Sequence, residues 1–192
     1  MDPRYELGRL AKSLGLTVIQ VTHDQEEAMT VSDRIVLMRS GQIVERGTPE
    51  ELYKEPKHIF TANFIGETNL LDGTVKGRDE ECTLVYLREG EIIASAPSQF
   101  ESGDAVVLSI RPERVHPASN GLHAVVIDIS FVGTYYRITS KTDSEDIVEF
   151  DVSATDSRVY NIGDDVNLVW SKNAGILYER PREGVAEAIK LE

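Results

Sequence analysis

One cysteine in 192 residues, Cys82, leaves no partner for an intramolecular disulfide and excludes a multi-cysteine metal site. Its setting is that of a small core residue in a cytosolic protein. Long hydrophobic runs are missing too. No apolar stretch reaches the roughly 18 residues that a membrane-crossing helix needs. No charged-then-apolar leader opens the chain, so no secretory signal is expected. Positive charge is scarce: 20 Lys+Arg stand against 33 Asp+Glu, a net of -13. Up to Leu71 the balance is 8 against 11, and beyond it 12 against 22. So acidic a second part repels phosphate backbones, and it carries no basic-aromatic stripe, which together exclude a nucleic-acid partner. Finally, no G-x-x-x-x-G-K-[ST] loop occurs, so nothing here cradles the β- and γ-phosphates of a nucleotide.

What is present is an ordinary globular composition, 41% hydrophobic and 28% charged, long enough for a real core. Leu7, Leu10, Ala11 and Leu14 recur at helical spacing and predict a helix over 3–14, with Gly15 just past its end. Leu16 to Val21, rich in β-branched residues, reads as a buried strand. Helix, glycine, strand is the order of a parallel α/β sheet. Asp24 caps the next helix, with Glu27 as its capping-box partner, and that helix runs to about Ser32. Ile35–Met38 reads as a second buried strand, turning at Ser40-Gly41 into Gln42–Glu45. Thr48-Pro49-Glu50-Glu51 starts a helix that Pro56 ends. A short helix with Ile59, Phe60 and Phe64 follows and stops at Gly66.

After about Leu70 the pattern becomes short and alternating. Strands are predicted over 82–87, 91–95, 104–111, 122–131, 134–140, 146–152 and 164–170, a small barrel or sandwich. Gly103–Ile110 and Gly163–Trp170 share Gly, Asp, Val and Leu at an offset of 60 residues. This is either a repeated β-unit or recurrent turn chemistry.

The sharpest candidate for chemistry is Val21-Thr22-His23-Asp24-Gln25-Glu26-Glu27-Ala28. His23 falls at the C-terminal end of a predicted strand and just before a helix, the edge where open α/β sheets bind ligands. Its imidazole can bond a phosphate oxygen, and first-turn N–H groups favour anions. The alternative is a histidine that only helps finish the strand. His58, His116 and His123 have no convergent partners in sequence. The charge runs Asp79-Glu80-Glu81 and Asp143-Ser144-Glu145-Asp146 read as solvated turns, so no metal site is assigned. Arg111 reads as an exposed arginine at a strand end. Tyr135 and Tyr136 point to opposite faces, so at least one is expected in the core.

The segment Val21–Met29 resembles the switch-histidine segment of ABC transporter ATPases. Ser32–Met38, Gly41-Gln42-Ile43, Gly47–Tyr53 and Phe64–Leu71 continue that pattern in order. Ile110-Arg111-Pro112-Glu113-Arg114-Val115 and Phe131-Val132-Gly133 with Tyr135-Tyr136-Arg137 resemble recurrent stretches of the regulatory β-domain that follows the ATPase domain in importers. The resemblance implies an α/β fragment, the end of a P-loop-type nucleotide-binding domain, followed by an all-β OB-like (TOBE) barrel, α+β overall. Its divisions would be 1–70, 71–190 and a tag scar at 191–192.

It further implies that His23 contacts the γ-phosphate of ATP in the intact protein. Asp2 would match the aspartate of a loop touching the opposite subunit's nucleotide, though a helix N-cap explains Asp2 equally well. ATP and Mg²⁺ would be the cofactors of the intact protein and none of this fragment, which is expected to be inactive. The implied partners are a second copy in a homodimer, transmembrane permease subunits and a solute-binding protein, at the cytoplasmic face of the membrane. Glu67–Leu71 and the Arg-Pro-Glu segment lean toward polyamine or iron import. Two other classes remain at this point. One is a stand-alone β-module binding a small ligand or oxyanion. The other is a hydrolase using His23 as base, for which no serine or cysteine nucleophile can be paired.

Overall fold

The computed structural model describes residues 3–78, 81–88, 90, 92–95, 98–156 and 158–191, with backbone alone for 3–7 and 92–94. Two compact units result, Met1–Gly66 with Ile189–Glu192, and Glu67–Ala188.

The first unit begins with α1 (Pro3–Ser13) and α2 (Gln25–Val31). Gly15 takes a left-handed φ of 61° after α1. The N–H groups of Gly15 and Leu16 bond Lys12 and Ala11 carbonyls, a paired closure that satisfies the helix end. Strands β1 (Ile35–Arg39) and β2 (Gln42–Gly47) form an antiparallel hairpin. Ser40 and Gly41 both have positive φ, which suits the tight hairpin turn. β1 alternates: Ile35 and Leu37 are buried, while Val36 and Met38 face out. It is thus a half-buried strand instead of the fully buried one expected. Helix α3 (Pro49–Lys54) starts on a complete capping box, with Thr48 N–H donating to Glu51 Oε2 at 2.8 Å and Glu51 N–H to Thr48 Oγ1 at 3.2 Å. Helix α4 (Ile59–Phe64) follows, and Ile35, Leu52 and Ile65 form a small core with Met29, Tyr53 and Phe64 against it.

The strand expected over Leu16–Val21 does not form. Ile19 is 90% and Val21 95% exposed. A strand needs a neighbour for its backbone groups, and among the described residues none pairs with this segment.

The second unit is built from two five-stranded antiparallel sheets. The first holds β3 (Asn69–Arg78), β4 (Thr83–Leu87), β5 (Ile92–Ser95), β6 (Ala105–Ile110) and β12 (Ile176–Glu179) in the order β12-β6-β3-β4-β5. The second holds β7 (His116–Ala118), β8 (Leu122–Phe131), β9 (Tyr135–Thr142), β10 (Ile147–Ser153) and β11 (Asp165–Val169) in the order β10-β9-β8-β11-β7. A short helix α5 (Val185–Ala188) closes the unit. Both sheets contribute to one core, with Leu71, Val85, Val106, Leu108 and Ile110 from the first and Val126, Ile138, Val148, Phe150 and Leu168 from the second. Cys82 is buried.

The 60-residue echo is structural. Gly103 and Gly163 have φ of 98° and 94°. Gly103 N–H bonds Val75 O at 2.9 Å, and Gly163 N–H bonds Val126 O at 2.8 Å. Val75 N–H returns to Asp104 O, and Val126 N–H to Asp164 O, both at 2.9 Å. Asp104 and Asp164 also accept from Glu101 N–H and Asn161 N–H through Oδ2. Both long strands carry an irregularity just after these residues. The short outer strands are exchanged: β7 precedes β8 yet flanks β11, whereas β12 follows the second set yet flanks β6.

Three strands were not expected, β3, β7 and β12. In β3 the alternation is interrupted by Asp72, Gly73 and Gly77. Gly73 has a packing reason, since a Cβ there would lie 2.5 Å from Val85 Cγ1.

Candidate functional site

His23 lies on an exposed connection between α1 and α2, and its side chain has no partner among the described residues. The chain turns there because Asp24 N–H donates to Thr22 Oγ1 at 3.0 Å. Asp24 Oδ1 in turn accepts from Glu27 N–H at 2.9 Å. The expected reciprocal bond from the Glu27 side chain is absent, because the Asp24 N–H is already used by Thr22. The anion-binding potential of this helix start is likewise answered from within, by the carboxylate of Asp24 and by Glu26 and Glu27 in the first turn. Asp2 lies outside the described residues. No group of three or more His, Cys, Asp or Glu among the described residues could hold a metal ion. The described residues thus offer one imidazole for a phosphate and neither a phosphate cradle nor a Mg²⁺ site, so they do not by themselves fit ATP.

In the second unit the structure gathers three stretches that are far apart in sequence. Asn69 is buried and acts as an amide clamp: its Nδ2 donates to Glu149 O at 2.8 Å, and its Oδ1 accepts from Glu149 N–H at 2.7 Å. One side chain thereby satisfies both backbone groups of Glu149 on edge strand β10. Next to it, Arg137 makes a two-pronged pair with Asp151, at 2.5 Å from Nε and 3.2 Å from Nη2, and its Nη1 reaches Glu67 Oε2 and Glu149 Oε2. Burial opposes the guanidinium charge, but the hydrogen bonds it donates to Asp151 and Glu67 more than offset it, so the pKa of Arg137 is raised. The ring of Tyr135 stacks 5.5 Å from the same guanidinium.

Arg111 corrects an expectation. It is 7% exposed, and its Nη1 donates to Glu67 O at 2.9 Å. Pro112–Arg114 form a single 3-10 turn directly after it. The Glu67–Asn69, Arg111–Arg114 and Tyr135–Arg137 stretches are therefore parts of one polar knot that joins the two sheets. The tyrosines correct another expectation, because neither is buried. Tyr136 faces the core side of β9 but lies past the edge of the core, against Phe131 with ring centroids 5.0 Å apart.

The feature that sequence reasoning missed is His123, on the outer face of β8. Its Nδ1 lies 3.3 Å from Asp143 Oδ1 and its Nε2 3.2 Å from Asp165 Oδ1. Both carboxylates are distant in sequence, and only the register of β8 with β9 and β11 brings them together. The signal available was alternation: residues 123 and 165 each fall on the outward face of a predicted strand.

Comparison with known proteins places these elements. Residues 108–177 match the TOBE domain family. The chain is 40% identical over 166 residues to the spermidine/putrescine import ATP-binding protein PotA of Borrelia garinii subsp. bavariensis, covering 85% of this chain and 45% of the relative. It is 36% identical over 177 residues to PotA of Thermobifida fusca, covering 86% and 45%. It is 39% identical over 150 residues to the Fe(3+) ions import ATP-binding protein FbpC 2 of Rhizobium meliloti, covering 70% and 37%. The chain thus spans less than half the length of these relatives. Among solved structures, the cytoplasmic molybdate-binding protein ModG with molybdate bound superposes with a TM-score of 0.51 at 17% identity, over 57% of this chain and 94% of that one, a likeness of fold alone.

Proposed function

From a chain that matches a C-terminal part of an ABC importer ATP-binding subunit and carries a TOBE domain, we propose a role within the ATP-hydrolysing subunit of an importer of polyamines or ferric ions. The observation that carries this reading is the 40% identity over 166 residues to a spermidine/putrescine import ATP-binding protein. In this reading residues 1–70 are the last piece of the nucleotide-binding domain and residues 71–190 its regulatory domain. His23 meets the γ-phosphate of ATP, with Mg²⁺, once the rest of the domain supplies the phosphate loop. Asp2 belongs to the loop that touches the opposite subunit's nucleotide. The subunit works as a homodimer under transmembrane permease subunits, fed by a solute-binding protein, at the cytoplasmic face of the membrane. The exposed apolar residues of the first unit, Leu10, Leu14, Ile19 and Val21 among them, support the need for further protein surface there. No described helix is long and apolar enough to cross a membrane.

Calorimetric titration with ATP and Mg²⁺ tests the reading, on this 192-residue chain and on a longer gene product carrying a phosphate loop. Binding by the longer protein and none by this chain supports it. Tight binding by this chain alone overturns the assignment of His23 as one contact among many. Light scattering reads the homodimer, and a monomeric mass at high concentration counts against it. A second reading, an oxyanion-binding β-module, draws on the fold shared with a molybdate-binding protein. It predicts a molybdate binding isotherm with this chain.

A further inference from the structure

We propose that His123 is a proton-operated clasp, bridging the side chains of Asp143 in the β9–β10 turn and Asp165 on β11 across β8 only while its ring carries both protons. Both ring nitrogens face carboxylate oxygens, Asp143 Oδ1 at 3.3 Å and Asp165 Oδ1 at 3.2 Å. An ionised carboxylate only accepts, and a neutral imidazole has a single N–H. In the neutral ring one nitrogen lone pair would therefore face a carboxylate lone pair. The imidazolium satisfies both contacts and carries the charge that both carboxylates favour.

The surroundings leave His123 as the positive centre of the clasp. Just past the end of β9, Asp143 follows Thr142, the partner of Ala124, and Lys141 on β9 is paired to Glu145 Oε1 at 2.7 Å. From β11, Asn167 is the direct cross-strand neighbour, and Asp165 lies one step along. The pKa of His123 is raised, first by the hydrogen bond to Asp165, with slight burial opposing and Asp143 adding to the rise. The sign of the linkage follows. A raised folded-state value means that the contribution is complete below the ordinary histidine value of 6.5 and is lost as pH climbs through the raised one.

The other half of the unit shows what the same place looks like without a proton. The bonds Val75 to Asp104 and Val126 to Asp164 align β3 with β8, which puts Asp72 where His123 stands. Asp143 then corresponds to Arg88, each being the next residue along from a cross-strand partner. Asp72 Oδ2 accepts from Arg88 at 2.8 Å and from Arg180 at 2.9 Å. The signs are inverted: a carboxylate between two guanidiniums in one half, an imidazole between two carboxylates in the other. The same β9–β10 turn carries Asp146, 3.8 Å from Arg88. None of this depends on the transport reading.

The test is an NMR titration of the histidine ring nitrogens in the 192-residue chain, from about pH 5 to 9, for wild type, Asp165→Asn and Asp143→Asn. The expected result is a His123 midpoint that falls in each variant, most in Asp165→Asn. The amides of Ser144 and Glu145 should move with the His123 midpoint in the wild type. The proposal is overturned if both variants leave the midpoint where it was. It is equally overturned if the turn amides ignore the titration, a readout that needs only the wild-type protein should either variant not fold.

Discussion

Two short apolar segments of this chain, Leu16–Val21 in the first unit and Val106–Ile110 in the second, have much the same composition and opposite fates. The second lies between β3 and β12, bonded on both sides and buried. The first is unpaired, with Ile19 and Val21 facing water. Apolar, β-branched sequence is a preference for a pleated, covered surface, and it becomes a strand only where neighbours supply the ladder and the cover. The second unit brings its own: two sheets, exchanged outer strands and one core. Among the described residues of the first unit, the sheet is a two-stranded hairpin and the buried core a small cluster around Leu52.

The largest expected effect tests the self-sufficiency of the second unit. Phe150 is fully buried in the shared core, and Phe150→Ala should cost about 3–5 kcal/mol. Urea denaturation followed by hydrogen exchange at Leu108 would read it, while Leu37 in the first unit keeps its protection. Next comes the clamp on edge strand β10. Asn69→Ala strips Glu149 of partners for both its N–H and its C=O, at about 1–3 kcal/mol, and should speed exchange of the Glu149 amide. Asn69→Asp keeps the acceptor but sets a buried carboxylate oxygen against the Glu149 carbonyl, so its loss should be at least that of alanine if the amide clamp is the cause. In the first unit, Thr48→Ala removes the acceptor for Glu51 N–H and should cost about 1 kcal/mol, read as faster exchange within α3. Ile19→Ser, at a fully exposed site, should leave stability within about 0.5 kcal/mol and yet lower binding of a hydrophobic dye. A large loss of stability there would mean that Leu16–Val21 is covered after all.

Local chemistry was largely legible, the reciprocal bond of the Asp24–Glu27 box excepted. The capping box at Thr48, the glycine after α1, the Ser40-Gly41 turn and the Gly-Asp starts of β6 and β11 each depend on residues within a few positions, and each is found. The candidate site was less so. His23 stands where its segment puts it, at a helix start, but the strand expected before it is missing. An arginine at a strand end normally finds water, so sequence alone predicts an exposed Arg111. What changes its position is the Glu67 carbonyl, 44 residues away in sequence. Tyr136 has the parity of a core residue and misses the core because β9 runs past its edge. β3 escaped notice because glycine at 73 weakens the strand signal for the same reason that packing requires it, the nearness of Val85.

The sequence by itself determined the first four helices, the box at Thr48, the turns, the acidic charge, the alternation of most strands and the repeated Gly-Asp unit. These are short-range properties, set by backbone conformation and side-chain period. Only the tertiary structure decided which strands pair, that β7 and β12 are exchanged between the sheets, and that Glu67, Asn69, Arg111 and Arg137 close into one knot. It also decided that His123 meets two carboxylates, from Asp143 and Asp165. Pairing is settled by the shared burial of faces and by the requirement that every buried backbone group find a partner, and neither condition can be evaluated one segment at a time.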